Sequence, residues 1–201
     1  LETHEPGPYD APDETSQPTV RDSSPYWLGY ERLPVDFFIL ECIGKGSRGV
    51  VHRAIDHDSN VVAVKCMDKS SRPRDHVERE IKTMQLLRGS LNVVCLRGVY
   101  EDEHRVYIVM EFVSKGPVIV QSEKDACKVM RSVCRVLKRL HDASIVHRDV
   151  KPSNFLLDDF GHVKAIDFGS SISVTEKHHG VEGTPLFMAP EAPNGDFTCD
   201  S

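Results

Sequence analysis

Hydrophobic and polar positions follow a strand-like pattern in the first half of the chain and a helix-like pattern later. Runs of β-branched and aromatic residues at 36–65, interrupted by Gly-rich and Asp/Asn-rich turns, predict three strands. Similar runs from Asn92 to Tyr100 and from Arg105 to Phe112 predict a second hairpin. Helical spacing predicts one helix over residues 72–88 and a longer one over residues 122–141.

The first predicted helix has one apolar face, formed by Val77, Ile81, Met84 and Leu87. Asp75 is expected to cap its start, with Glu78 completing a capping box. The second helix carries a wide apolar stripe opposite its Lys and Arg residues. Cys127 and Cys134 lie seven residues apart along it, and we predict that both pack in the core as small hydrophobic residues.

Residues 145–169, with the sequence IVHRDVKPSNFLLDDFGHVKAIDFG, are the most informative stretch. Two short apolar runs around a polar turn predict a hairpin with charged residues at both ends. A carboxylate such as Asp149 can orient a hydroxyl and accept its proton, and Lys151 can lie against a phosphate. Asn154 and Asp167 offer the hard oxygen ligands that Mg²⁺ prefers. These residue types therefore favour phosphoryl transfer.

A second phosphate signal is the GKGSRG sequence at residues 44–49. GxGxxG alone is weak, because dinucleotide-binding folds share it. Here β-branched residues and another strand follow the glycines, which favours a glycine-rich hairpin lying over phosphates. The third strand ends in VAVK, which places Lys65 at its end. A lysine that only reaches to solvent from the sheet edge is the structural alternative for Lys65.

Composition is ordinary for a folded domain, with 39% hydrophobic and 28% charged residues among 201. Residues 1–34 hold six of the 12 prolines and carry −5 of the net charge of −6, so we expect an acidic, disordered segment there. The remainder is nearly neutral, which implies neither a nucleic-acid partner nor a membrane-surface function. No apolar run approaches the length of a membrane span, and no basic-then-apolar pattern predicts a signal peptide in these residues. The six cysteines contain no CxxC pair, which predicts reduced thiols in a cytoplasmic or nuclear protein.

HRDxKxxN followed by DFG, together with the glycine-rich hairpin and VAVK, resembles the protein kinase superfamily. GTPxxMAPE at residues 183–191 is similar to the end of a kinase activation segment and, with Lys151 and Thr184, resembles the serine/threonine type. Phe155 and the KAIDFG string lean toward calcium/calmodulin-dependent-like kinases. The resemblance implies an α+β, two-lobed fold over residues 35–201. Its N-terminal β-rich lobe (35–112) would be complete and its helical C-terminal lobe (113–201) truncated.

The resemblance also implies transfer of the ATP γ-phosphoryl group to Ser/Thr hydroxyls of a protein substrate, with ATP and Mg²⁺ as cofactors. Asp149 would act as the base, Lys151 would steady the γ-phosphoryl group, and Asn154 and Asp167 would hold Mg²⁺. Lys65, fixed by a glutamate of the first helix, would grip the α- and β-phosphates. The ATP-binding residues would be Ile43, Gly44, Lys45, Gly46, Ser47, Arg48, Gly49, Val50, Val51, Ala63, Lys65, Glu80, Met110, Glu111 and Val113.

Arg148, beside Asp149, indicates that an anion in the activation segment orders the catalytic loop. Glu182 could supply that anion directly. Phosphorylation could supply it instead at Ser170, Ser171, Ser173 or Thr175.

The motifs account for residues 36–191, and the helices that kinases build after the APE sequence are absent. We therefore expect a piece of a longer protein, with an apolar patch exposed on its helical part. A non-catalytic kinase-like module that binds a nucleotide or a partner is the alternative function, and a small-molecule kinase is a third. The intact catalytic positions favour the first reading, and GTPxxMAPE counts against the third. The oligomeric state is left open.

Overall fold

A computed structural model describes residues 37–71, 73–175 and 181–190 of the chain. The segment predicted to be disordered, residues 1–34, lies outside this range. The first part of the described chain forms a five-stranded antiparallel sheet with the order β1-β2-β3-β5-β4. Its strands are β1 (Phe38–Gly46), β2 (Gly49–Ile55), β3 (Val61–Asp68), β4 (Leu96–Glu101) and β5 (Arg105–Glu111).

The two central strands, β3 and β5, are buried on both faces. Side chains alternate between the faces of a strand, so neighbouring residues enter different cores. Val64 and Val109 lie in the core on one face of the sheet, and Ala63, Ile108 and Met110 in the core on the other. This second core continues into the rest of the molecule. The near-continuous apolar runs at residues 61–64 of β3 and 106–110 of β5 are the sequence pattern of such strands.

The first helix, α1 (Arg74–Leu86), packs its predicted apolar face into the larger core. The predicted cap was wrong, because Pro73 occupies the N-cap position and no side chain caps the helix. Since proline presets its own φ, the helix begins directly after Pro73 and Asp75 falls within the first turn. There the Asp75 carboxylate pairs with Arg79, one turn later, at 3.1 Å.

Four short strands organise the second part of the described chain. β7 (Phe155–Leu157) and β8 (Val163–Ala165) form the hairpin predicted around the catalytic motif. β6 (Ile145–Val146) pairs with β9 (Ile172–Ser173), which was not predicted. This second pairing ties the start of the catalytic motif to the chain that follows Gly169.

The second helix, α2 (Glu123–Asp142), begins at Ser122, whose hydroxyl accepts a hydrogen bond from the Asp125 backbone N–H. It packs against β6 and β8 through Val133, Val136 and Leu140.

Cys127 and Cys134 are exposed, so the prediction that both pack in the core was wrong for this chain. They lie on a side of α2 that β6 and β8 do not cover. Met130 on the same helix is 56% exposed, as expected for an uncovered apolar patch.

A β-rich first part and a second part built on α2 confirm the predicted α+β fold. In the described part of the chain, neither helix has the length and hydropathy needed to cross a bilayer.

Candidate active site

A cleft of about 570 Å³ lies between the sheet and the second part of the chain. Twelve of the predicted nucleotide-binding residues line it, and Lys151, Asn154 and Asp167 lie on its other side. The twelve are Ile43, Gly44, Lys45, Gly46, Arg48, Gly49, Val51, Ala63, Lys65, Met110, Glu111 and Val113. Ser47 and Val50 line a separate cavity of about 390 Å³. Glu80 is buried and outside the lining of the cleft.

The cleft also has apolar walls that the motifs did not indicate. Val94 and Phe112 come from the sheet side, and Leu156 and Ile166 come from the catalytic hairpin region. Only Leu156 lies within a strand, and the other three lie just outside strand ends, so neither periodicity nor composition could identify them. Apolar groups on both sides make the inner cleft suitable for a flat aromatic ring.

Lys65 stands at the centre of a buried ionic group. Its ammonium Nζ lies 2.5 Å from Oε1 of Glu80 and 3.3 Å from Oδ1 of Asp167. Burial alone would lower the pKa of Lys65, but the two carboxylates outweigh it and raise the pKa above its usual value. Burial likewise acts to raise the pKa of Asp167, but Lys65, Arg48 and the Gly169 N–H hold it well below its usual range. Lys65 is therefore a fixed cation and Asp167 a fixed anion.

Asp149 is buried and accepts hydrogen bonds from several directions. Lys151 Nζ lies 2.8 Å from its Oδ2, the Thr184 hydroxyl donates to its Oδ1 at 2.7 Å, and the Asn154 amide donates to its Oδ2 at 3.3 Å. Burial acts to raise the pKa of Asp149, but these donors outweigh it and lower the pKa. The carboxylate is therefore ionised, and it already accepts a hydrogen bond from an alcohol.

Thr184 has a role that the sequence reasoning missed, since only its place before Pro185 was noted. Its hydroxyl donates to Asp149 and accepts a hydrogen bond from Lys151 at 2.7 Å. The signal that could have found it is the GTP triplet at residues 183–185, which brings a hydroxyl onto a tight turn.

Arg48, at the tip of the glycine-rich hairpin, reaches the same carboxylates. Its Nη1 lies 2.8 Å from Oδ2 of Asp167 and 3.4 Å from Oδ2 of Asp149. Its Nη2 donates to the Ser170 hydroxyl. The predicted role of Arg48 was to cover the nucleotide, and no local pattern indicated these contacts.

Backbone conformation fixes the residues on either side of Asp149. Arg148 has a φ of 64°, in the left-handed region, and its Nε donates to the main-chain oxygen of Ser170 at 2.6 Å. Gly183 has a φ of 116°, and a Cβ built on it would lie 2.5 Å from the Arg148 carbonyl oxygen. The catalytic loop and the activation segment are therefore in backbone contact.

The anions considered for the activation segment occupy different environments. The Glu182 carboxylate lies 3.9 Å from Arg48 Nη2 and accepts a hydrogen bond from Ser170. Ser170 and Ser171 are buried, whereas Thr175 is exposed. The hypothesis that one of these groups orders the loop through Arg148 stays a prediction.

His147 lies beneath the site, packed against Phe168 with ring centroids 5.6 Å apart. Burial lowers the pKa of His147 below its usual value, although nearby carboxylates act in the other direction. The imidazole is therefore neutral near pH 7 and acts as a packing group under the catalytic loop.

The residues predicted to hold Mg²⁺ fit that ion by their chemistry. Asp167 supplies a carboxylate, and Asn154 supplies a side-chain amide. The amide nitrogen of Asn154 donates hydrogen bonds to Asp149, which leaves the amide oxygen of Asn154 as the ligand. Mg²⁺ usually takes one or two protein ligands and completes its shell with water and phosphate oxygens. The described residues contain no group of three or more His, Cys, Asp or Glu side chains arranged to hold a metal by themselves.

A family model described as a protein kinase domain matches residues 37–196. The chain is 31% identical over 182 residues to Calcium-dependent protein kinase 27 of Arabidopsis thaliana, which is 80% of this chain and 38% of that protein. It is 36% identical over 166 residues to Calcium-dependent protein kinase 12 of Oryza sativa subsp. japonica (74% and 31%). It is 34% identical over 170 residues to NUAK family SNF1-like kinase 2 of Rattus norvegicus (78% and 27%). The chain thus spans between 27% and 38% of the length of these relatives.

Proposed function

The chain belongs to the protein kinase family, and from this premise we propose that it transfers the γ-phosphoryl group of ATP to serine or threonine hydroxyls of a protein substrate. The observation that carries the proposal is the state of Asp149. This carboxylate is buried, ionised and already hydrogen-bonded to an alcohol, the Thr184 hydroxyl, at 2.7 Å. A substrate hydroxyl that takes the place of the Thr184 hydroxyl would be oriented for attack and could pass its proton to Asp149.

The nucleotide is bound in the cleft by complementary groups. The adenine ring lies between the apolar walls, where the backbone of Glu111 and Val113 faces its edge. Lys65 meets the α- and β-phosphates, because Glu80 holds its ammonium group at the cleft surface. Lys151 lies beside Asp149 and neutralises charge on the transferring phosphoryl group.

Asn154 and Asp167 would hold Mg²⁺, which would supply positive charge to offset that of the phosphate groups. Proteins of this family act on other proteins, and the serine/threonine preference rests on Lys151 and Thr184. The Thr184 hydroxyl, held by Lys151 at 2.7 Å, is itself a short aliphatic alcohol, which supports a substrate hydroxyl of the same kind.

The proposal is tested by an Asp149→Asn substitution in the full-length protein. Loss of a positioned base lowers turnover by roughly 10²–10⁴-fold, while ATP binding persists, because Lys65 and the cleft walls are unchanged. Phosphate transfer from radiolabelled ATP to a serine/threonine peptide library measures turnover, and titration with a fluorescent ATP analogue measures binding. Asp159→Asn, an equivalent change in the exposed hairpin turn, serves as the matched control and should leave turnover unchanged.

Two results would contradict the proposal. Equal loss of turnover in both variants would show that Asp149 is not the base. An unmodified protein that binds ATP without transferring phosphate to any peptide would favour the non-catalytic binding module instead.

A further inference from the structure

The guanidinium of Arg48 contacts Asp167, one of the two residues proposed to hold Mg²⁺. It bridges two carboxylates on different loops, Asp167 at 2.8 Å and Asp149 at 3.4 Å. The Arg48 side chain is only 16% exposed. A surface arginine would remain in water, so this burial indicates that the carboxylates draw the side chain into the cleft.

The surroundings of Arg48 fit its side chain closely. The Ser170 hydroxyl accepts from Nη2, and the Glu182 carboxylate lies 3.9 Å from the same nitrogen. Gly169 provides the space, since a Cβ built there would lie 2.7 Å from Arg48 Cδ. Any side chain at position 169 would therefore meet the arginine stem. These contacts tie the glycine-rich hairpin to the catalytic loop and to the activation segment.

Asp167 has little capacity left for a metal ion while Arg48 is in place. Its Oδ1 faces Lys65 at 3.3 Å and accepts from the Gly169 N–H at 3.1 Å. Its Oδ2 is held by Arg48. A divalent ion on either oxygen would lie within a few ångströms of a fixed positive charge, where the low local dielectric makes repulsion strong.

We propose that Arg48 is a resident cation of the candidate metal site, which competes with Mg²⁺ for Asp167 and must leave before the metal can bind. The inference rests on the metal-binding role proposed for Asp167 and Asn154. It adds that this chain needs more Mg²⁺ than the same site would need without the arginine. Arg48 lies in the two-residue turn between the end of β1 at Gly46 and the start of β2 at Gly49, so its side chain can leave the carboxylates without a change in the β1–β2 pairing.

The test uses Mn²⁺ as the probe and the nucleotide-free, full-length protein. Electron paramagnetic resonance measures free Mn²⁺, and hence its affinity, in the unmodified protein and in an Arg48→Gln variant. Removing one positive charge from beside the ion should tighten Mn²⁺ binding by about tenfold. Arg53→Gln is the matched control, because it removes the same charge from strand β2, where Arg53 pairs with Glu41. This control should bind Mn²⁺ as the unmodified protein does.

Two further variants keep the outcome unambiguous. Arg48→Lys keeps a positive charge on a shorter side chain and should bind Mn²⁺ with intermediate affinity. This variant separates the effect of the charge from any effect on folding. Adding Asp167→Asn to Arg48→Gln should abolish the gain, because the gain arises at Asp167. Unchanged affinity in Arg48→Gln, a gain of the same size in Arg53→Gln, or a gain that survives Asp167→Asn would each overturn the proposal.

The measurement does not depend on phosphoryl transfer. If turnover is absent but Arg48→Gln tightens Mn²⁺ binding, the proposed enzymatic function fails and the competition stands. If turnover depends on Asp149 but Arg48→Gln leaves the Mn²⁺ affinity unchanged, the proposed enzymatic function stands. The proposed competition between Arg48 and the metal ion then fails.

Discussion

The Lys65 side chain is charged although it is almost fully buried. The carboxylates around it stabilise this buried charge. Replacing it with methionine leaves Glu80 buried beside an apolar side chain. Breaking a buried ion pair in this way costs about 3–5 kcal/mol, so Lys65→Met should lower the free energy of unfolding by that amount. Urea unfolding followed by circular dichroism at pH 7 measures the change.

Two comparisons define the cause of that loss. The double variant Lys65→Met/Glu80→Leu removes both charges and should regain much of the lost stability. Lys138→Met breaks an exposed pair with Asp142 on α2 and should change stability by less than about 1 kcal/mol. Equal losses in Lys65→Met and Lys138→Met would show that burial of the Lys65–Glu80 pair has no energetic consequence.

Motif spacing identified the residues whose position depends on nearby sequence. Lys65 belongs to a recognisable strand, although β3 continues to Asp68 and the prediction that Lys65 ends it was wrong. Asp149, Asn154 and Asp167 flank a hairpin whose turn is visible in the sequence. The contacts of Arg48 were not predictable in the same way, because its partners lie 101 and 119 residues further along the chain. Local patterns contain no information on how closely a loop tip approaches such distant groups.

At the scale of elements, the glycine-rich hairpin depends on glycine for space as well as for backbone conformation. Gly49 has a φ of 129°, and a Cβ there would lie 2.4 Å from the Cys66 carbonyl oxygen in the adjacent strand β3. Gly49→Ala should therefore disturb the β2–β3 pairing and lower stability by about 1–3 kcal/mol. Thermal unfolding measures this.

Gly46→Ala is the matched control, because a Cβ at Gly46 meets nothing within 4 Å. Its melting temperature should stay close to that of the unmodified protein. A similar loss in both alanine variants would mean that hairpin flexibility, and not the contact with Cys66, determines the effect.

Element types were predicted well because their hydrophobic periods are long and regular, while their ends were predicted less well. The first helix was predicted over residues 72–88 and is Arg74–Leu86, since Pro73 sets its start. The pairing of β6 with β9 escaped prediction, because each strand has only two residues and no period can be read from two. Cys127 and Cys134 were placed in the core because helical spacing defines a face but not whether anything covers it.

At the scale of the whole molecule, several buried groups favour the state found near neutral pH. The pKa of His147 is lowered by burial, so the unfolded chain takes up this proton first, and stability falls as pH drops below about 6.5. The pKa values of Asp149 and Asp167 are also lowered, so a second loss follows as pH falls below about 4. Above about pH 7 these three groups contribute fully.

The expected result is a free energy of unfolding that declines by up to about 1.4 kcal/mol per pH unit below pH 6.5 on account of His147 alone. Urea unfolding at half-unit steps from pH 8 to pH 4 measures the slope. His147→Asn should flatten the decline between pH 6.5 and 5, whereas His141→Asn, at an exposed position on α2, should not. A slope unaffected by His147→Asn would refute this assignment.

The family could be predicted from the sequence because its signature residues recur at fixed distances. The match to a protein kinase domain over residues 37–196 confirms that resemblance, and similarity to calcium-dependent protein kinases agrees with the predicted leaning. The sequence could not predict which side chains occupy the cleft before a nucleotide binds. That depends on the balance of four carboxylates and three cations from separate parts of the chain.

The close approach of Gly183 to the Arg148 carbonyl oxygen restricts which amino acids position 183 can tolerate. Gly183 carries no reactive group, yet every single-codon substitution there would add a Cβ within 2.5 Å of that oxygen and require an unusual backbone conformation as well. Gly161 also has a positive φ, but it has open space around it. In a library of all point variants selected for folding, substitutions at position 183 would consequently be depleted because of crowding. The depletion would be as strong as that of substitutions at the acidic positions in a selection for activity.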